Sequence, residues 1–168
     1  MTNATQTATT TQVYRVYIKA TPEAIWDAIT KPEWTERFGY GGRAEYDLRP
    51  GGAYRAHASE EFLAAGSPEI VVDGEVLEVD PPRRLVQTWR MLMDPDMVAE
   101  GFTRLTYEIE PSLGDSTKLT IVHELEGAPR LASMLAGEKE AEGAGGGWNF
   151  VLSSLKTLLE TGEELVHA

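Results

Sequence analysis

Three histidines could serve acid–base or metal chemistry: His57, His123 and His167. They fall on separate segments, with no HExxH pair, and the chain contains no cysteine. A closed metal site needs three or four such donors brought together, and this spacing offers none. Thiol catalysis and a disulfide framework are excluded by composition. Serine chemistry has little more footing: there is no GxSxG turn, and Ser153 and Ser154 sit inside an apolar helical repeat. Gly143, Gly145, Gly146 and Gly147 precede a helix, where an anion could bind. Without a P-loop lysine or a βαβ context, they read instead as a hinge that lets the last helix lie across a sheet. His123, beside Ile121 on an alternating segment, reads as a core histidine or as a polar tip inside a cavity. Neither a metal nor a cofactor is expected.

The aromatic residues say more. Trp26, Trp34, Phe38, Tyr40, Tyr54, Phe62, Trp89, Phe102, Tyr107 and Trp148 recur along the chain, and Met91, Met93 and Met134 add adaptable apolar surface. Trp26 fits ordinary core packing. Trp89, Tyr107 and Trp148 would stand between sheet and helix, where they fit either core packing or the wall of a pocket, since a small-molecule site needs apolar walls and a few polar groups. Arg90 and Arg104 alternate with Trp89 and Leu105, so they are expected on the opposite, outer face.

The elements that position these residues follow from periodicity. Residues 13–20 alternate as a half-buried strand, and Thr21-Pro22-Glu23 then caps a short helix reaching about Thr30. A further turn or two of helix covers 33–38. Strands are expected at 43–48 and 53–58, on either side of the Pro50-Gly51-Gly52 turn. Residues 60–68 read as a loop. A strand at 69–79 carries a turn or bulge near Asp73-Gly74 and ends at Pro81-Pro82. Another covers 85–93, followed by an Asp94-Pro95-Asp96 loop. Strands at 102–110 and 117–124 alternate clearly. Leu131, Met134 and Leu135 suit a short helix. Trp148, Val151, Leu152, Leu155, Leu158 and Leu159 recur every three or four residues, giving an amphipathic helix of about 15 residues that ends near Gly162. Short turns between strands imply an antiparallel meander. The long helix must bury its apolar stripe on that sheet, and a curved sheet around a helix leaves room for a cavity.

The chain has 168 residues, with 15 Lys+Arg against 27 Asp+Glu and a net charge of −12. One domain is expected over 13–162, with a disordered tail at 1–12 and a short tail at 163–168. This charge supplies no basic face for nucleic acid or for an anionic membrane. No apolar run is long enough to span a bilayer. The Thr-rich start lacks the basic and apolar regions of an export signal, so a cytoplasmic location is expected.

One family shares the order and spacing of several local motifs. They are Ile18-Lys19-Ala20-Thr21-Pro22-Glu23 with Trp26, then Pro50-Gly51-Gly52, then Gly74-Glu75-Val76-Leu77-Glu78-Val79 with Pro81-Pro82, Arg84-Leu85 and Thr88-Trp89. Leu119-Thr120-Ile121-Val122-His123-Glu124 and Gly146-Gly147-Trp148 complete the set. Together they resemble the activator of heat-shock protein 90 ATPase homologue 1-like branch of the START-like (SRPBCC) superfamily, over about Val13 to Glu160. The resemblance implies an α+β helix-grip fold: a curved antiparallel sheet of six to seven strands around a long C-terminal helix, with two short helices after the first strand.

The same resemblance implies functions. Relatives bind lipids, hormones and polyketides, so the first expectation is non-catalytic binding or sequestration of a hydrophobic or polycyclic small molecule. The implied cavity would be lined by Trp34, Phe38 and Tyr54, by Trp89, Met91, Leu105, Tyr107 and Ile121 on the sheet, and by Met134, Trp148 and Leu152, with His123 as a polar tip. Trp148 is expected near its mouth. A second expectation is antibiotic self-resistance, with an enediyne bound and the protein cleaved at a glycine. Gly51, Gly52, Gly101, Gly114 and Gly145 to Gly147 are the exposed candidates. A third is a polyketide cyclase or aromatase, working by shaping a reactive chain. Activation of the chaperone ATPase is the least expected, because the eukaryotic activator has a separate N-terminal domain and only twelve residues precede the first strand here. No catalytic residue is assigned, and the partner is a small molecule, with the protein a monomer or homodimer.

Overall fold

Alternation builds the first strand, β1 (Thr11–Ile18), whose Tyr14, Val16 and Ile18 face inward while Val13, Arg15 and Tyr17 are exposed. It starts two residues earlier than the alternation predicts. Gln12 reaches across the fold, and its side-chain amide donates to the Ala132 carbonyl at 2.8 Å, which fixes a residue expected in the tail. The computed structural model describes residues 11–142 and 145–166. The rest of the expected N-terminal tail, Gly143, and the end of the C-terminal tail with His167 lie outside the described residues.

Thr21 caps α1 (Pro22–Thr30) by accepting the Ala24 N–H at 3.1 Å, and Pro22 fits the first turn because its missing donor would have no partner there. The helix buries Ile25, Trp26, Ala28 and Ile29. A single turn, α2 (Pro32–Thr35), then leads to β2 (Arg43–Tyr46) and β3 (Ala53–His57). The remaining strands are β4 (Ile70–Asp80), β5 (Arg84–Met91), β6 (Thr103–Pro111) and β7 (Thr117–Glu124). All seven form one antiparallel sheet in the order β1-β7-β6-β5-β4-β3-β2, so the first strand lies beside the last.

Local sequence overrides the expected pattern in three places. Ser59 caps a short helix, α3 (Glu60–Ala64), by accepting the Phe62 N–H, where a loop is predicted. Asp94 does the same for α4 (Pro95–Glu100) through the Asp96 N–H. Capping groups with proline or acids in the first turn give the reason, although each helix is too short for periodicity to reveal. The third is the register shift between β4 and β5, which falls at Val76 to Glu78 instead of at Asp73-Gly74. Gly74 serves another need: a Cβ there would collide with the Thr88 carbonyl of the neighbouring strand.

After α5 (Pro129–Leu135) and one 3-10 turn comes α6 (Gly147–Thr161), which buries Trp148, Leu152, Leu155 and Leu158 against the sheet. Gly162, at φ 79°, ends it and donates its N–H to the Leu158 carbonyl at 2.8 Å. Lys156 donates to the Tyr17 carbonyl at 2.7 Å, and Glu160 accepts the Lys19 N–H at 2.8 Å, so the helix is tied to β1. The glycines before α6 allow close approach rather than a free hinge. Gly147 is buried at φ 70°, and any Cβ on it would meet the Leu135 carbonyl. Ile18, Ile25, Ile109 and Leu158 are each at most 1% exposed and make a solid core on this side of the fold.

Candidate ligand-binding cavity

Packing is incomplete on the other side. A cavity of about 700 Å³ lies between α6 and the sheet, within the size range of small-molecule sites. The sheet wall carries Tyr46 (β2), Tyr54 (β3), Trp89 and Met91 (β5), Tyr107 (β6) and Ile121 (β7). Trp148 and Leu152 of α6 face them, with Phe38 before β2 and Met134 of α5. At the protein surface, Tyr40 stacks on Phe150 and Phe62, with ring centroids 5.1 and 6.5 Å apart.

Three expected cavity residues lie elsewhere. Trp34 packs beneath the Arg37 guanidinium, 5.3 Å from its ring, and is not among the residues that line the cavity. Leu105 is fully buried in the core. His123, also fully buried, takes part in a hydrogen-bonded chain behind the wall. The Trp148 indole N–H donates to His123 Nδ1 at 3.1 Å, which leaves that nitrogen unprotonated. Nε2 therefore carries the proton and donates to Thr103 Oγ1 at 2.7 Å. The Thr103 hydroxyl in turn donates to the Trp89 carbonyl at 2.9 Å. The side-chain polar atoms of Trp148, His123 and Thr103 are all used, and desolvation pushes the imidazole down from an ordinary 6.5 to about 3. With both nitrogens engaged, His123 is the core histidine of the two readings and has no free nitrogen to act as a base.

Trp148 also departs from expectation. It lines the cavity, yet it is 7% exposed and held by His123, with its ring 6.4 Å from Trp89 and 6.3 Å from Tyr107. That is a fixed wall, not a mobile residue at the mouth. Phe102 lies outside, half exposed, under the Arg90 guanidinium, which pairs with Asp73. Arg104 is likewise on the outer face, where it pairs with Glu78 and Glu124.

Sequence reasoning missed Tyr46, Gln87 and Met97. Tyr46 shares a face with Ala44 in the same hairpin as Tyr54, so its alternation was a usable signal. Met97 sits on α4, where the sequence suggested a loop. The Tyr46 hydroxyl donates to Gln87 Oε1 at 2.6 Å, which satisfies a fully buried amide. Burial raises the phenols of Tyr46, Tyr54 and Tyr107 above their ordinary value; for Tyr54 the neighbouring Trp89 side chain works in the opposite direction. Gly145 and Gly147 border the cavity, as do Gly39 and Gly42, while Gly51, Gly52, Gly101 and Gly114 do not. Among the described residues, no group of three His, Asp or Glu side chains could hold a metal ion. None of the described helices is long and apolar enough to cross a membrane.

Residues 19–160 match the family described as Activator of Hsp90 ATPase homolog 1-like protein. The chain belongs to this family. Solved structures with the same fold include CalU16 from Micromonospora echinospora, with 21% identity, a TM-score of 0.61, and coverage of 88% of this chain and 73% of that one. An HSP90 activator from Plasmodium falciparum has 19% identity and a TM-score of 0.60, over 89% of this chain and 96% of the other. The Aha1 dimer from Colwellia psychrerythraea gives 19%, 0.61, 90% and 97% in the same order. At these identities the likeness establishes the helix-grip fold of the family and nothing finer. No curated protein matches the chain in sequence.

Proposed function

We propose that this protein binds a hydrophobic or polycyclic small molecule between α6 and the sheet. The supporting observation is the composition of the cavity. Aromatic rings line it, and so does every methionine after Met1: Met91, Met93, Met97 and Met134. Aromatic walls give a planar ligand large contact areas, and unbranched thioethers reshape around it at low cost. A core selected for rigidity alone would favour leucine and isoleucine over methionine.

The test is a titration with N-phenyl-1-naphthylamine, a neutral dye that brightens in apolar surroundings. Saturable binding in the micromolar range is expected for the wild type. Ala56→Trp, which fills the cavity from β3, should abolish it while the circular dichroism spectrum stays native. Equal brightening by both proteins would place the dye elsewhere and refute the reading.

Self-sacrifice toward an enediyne is a second reading. It is favoured by the four glycines bordering the cavity, Gly39, Gly42, Gly145 and Gly147. A glycine Cα–H is an accessible hydrogen donor to a ligand-centred radical, because no side chain shields it.

A further inference from the structure

The sheet wall is not uniformly apolar. Tyr54 and Tyr107 both border the cavity, and neither hydroxyl donates a hydrogen bond to another described residue. Among the described residues, no sealed side-chain polar atom lacks a partner. The unbonded Tyr107 hydroxyl therefore keeps contact with open space, and the space its side chain borders is the cavity. Tyr54 is nine-tenths buried, and its hydroxyl likewise donates to no side chain or backbone group among the described residues. Topology brings the two together. Tyr107 lies two residues along β6 from Leu105, the partner of Gln87, so it is diagonal to Gln87 on the same face. Tyr46 bonds to that Gln87 and packs on Tyr54 with ring centroids 4.5 Å apart. Tyr46 is committed to Gln87, so Tyr54 and Tyr107 are the available donors.

We propose that Tyr54 and Tyr107 form a two-donor seat for a carbonyl oxygen, and that the ligand is a neutral, mostly apolar ring system bearing one. This rests on the cavity being a ligand site and specifies what that site selects. Burial keeps both phenols protonated, so they remain donors throughout the working pH range. Among the described residues, no cation borders the cavity from the sheet wall to neutralise an anionic ligand. The cations bordering the cavity, Arg130 and Lys139, are solvent-exposed and pair with Asp96 and Glu142 at 3.7 and 3.6 Å. A carbonyl accepts two hydrogen bonds in one plane and offers no proton of its own, which fits two donors in an apolar wall.

Two probes of nearly identical skeleton decide it: fluorene, and 9-fluorenone, which adds the carbonyl. Binding is measured by equilibrium dialysis for the wild type and for Tyr54→Phe, Tyr107→Phe and the double variant. The preference for fluorenone over fluorene should fall about tenfold in the double variant, the equivalent of two ordinary neutral hydrogen bonds. Each single variant should lose about threefold of that preference. Differences in solvation between the probes cancel, because each variant is compared with the wild type. If fluorene and fluorenone both bind but the preference is the same in all four proteins, the tyrosine seat is wrong and the binding cavity stands. If the wild type retains neither probe, the cavity reading fails and this inference with it.

Discussion

Acidification should weaken the fold through one residue, His123. The folded imidazole is neutral, with its pKa pushed down to about 3 by burial, while in the unfolded chain it returns to about 6.5. Between those values the unfolded state binds the extra proton, so stability rises with pH across that window. The contribution is complete above about pH 6.5 and is lost progressively as pH falls toward 3. At pH 5 the solution lies about 1.5 units below the unfolded value, which costs roughly 2 kcal/mol at 1.36 kcal/mol per unit. This figure depends on the unfolded pKa alone, provided the folded value stays well below 5. Protonation also has a geometric cost, because Nδ1 accepts the Trp148 N–H and cannot do so once it carries a proton. Carboxylates such as Glu45 and Glu160, whose pKa values are lowered by hydrogen bonds to His57 and Lys156, titrate at lower pH and must be separated. Comparison with His123→Gln does this, since glutamine keeps a donor and an acceptor and does not titrate. Urea unfolding followed by circular dichroism at pH 7.5 and pH 5.0 gives each stability. The wild type should lose about 2 kcal/mol more than the variant between the two pH values. An equal loss in both would refute the neutral, fully engaged histidine.

Much of this architecture was legible because its signals are long. The alternation in β6 and β7 runs for eight or nine residues, and the three- and four-residue spacing in α6 runs for four turns. Such patterns report which face is buried, so inward-facing Trp89, Tyr107 and Ile121 could be read directly. They do not say whether an inward side chain meets another side chain or empty space. Leu105 and Tyr107 share a face and a strand, yet one is core and the other lines the cavity. The difference arises where α6 crosses the sheet, which no local pattern encodes. The status of His123 was hidden for the same reason: its partners Thr103 and Trp148 are 20 and 25 residues away. Short capped helices were the other blind spot. Phe62 and Met97 reach the cavity from α3 and α4, whose caps were readable at Ser59 and Asp94 but whose five and six residues show no period.

Two more outcomes follow from the cavity wall. If an activated enediyne is a ligand, backbone cleavage mapped by mass spectrometry should fall at Gly39, Gly42, Gly145 or Gly147, which border the cavity. Cuts confined to Gly101 or Gly114 would mark attack from solvent and refute sacrifice within the cavity. The remaining prediction concerns Trp148 as a structural bolt. Trp148→Ala removes a buried indole and should cost about 3–5 kcal/mol of stability. Trp148→Phe keeps a ring against Trp89 and Tyr107 but leaves His123 Nδ1 buried without a donor, a loss of about 1–3 kcal/mol. Removing both partners separates these contributions. In Trp148→Phe combined with His123→Leu there is no orphaned nitrogen on the imidazole, so the double variant should be more stable than the sum of the single losses predicts. Thr103 still donates to the Trp89 carbonyl in that variant and keeps its own hydroxyl satisfied. Strict additivity in denaturant unfolding would show that the indole N–H and the imidazole do not interact. The N-terminus of α6 would then be held by ring packing and by the close approach at Gly147 alone.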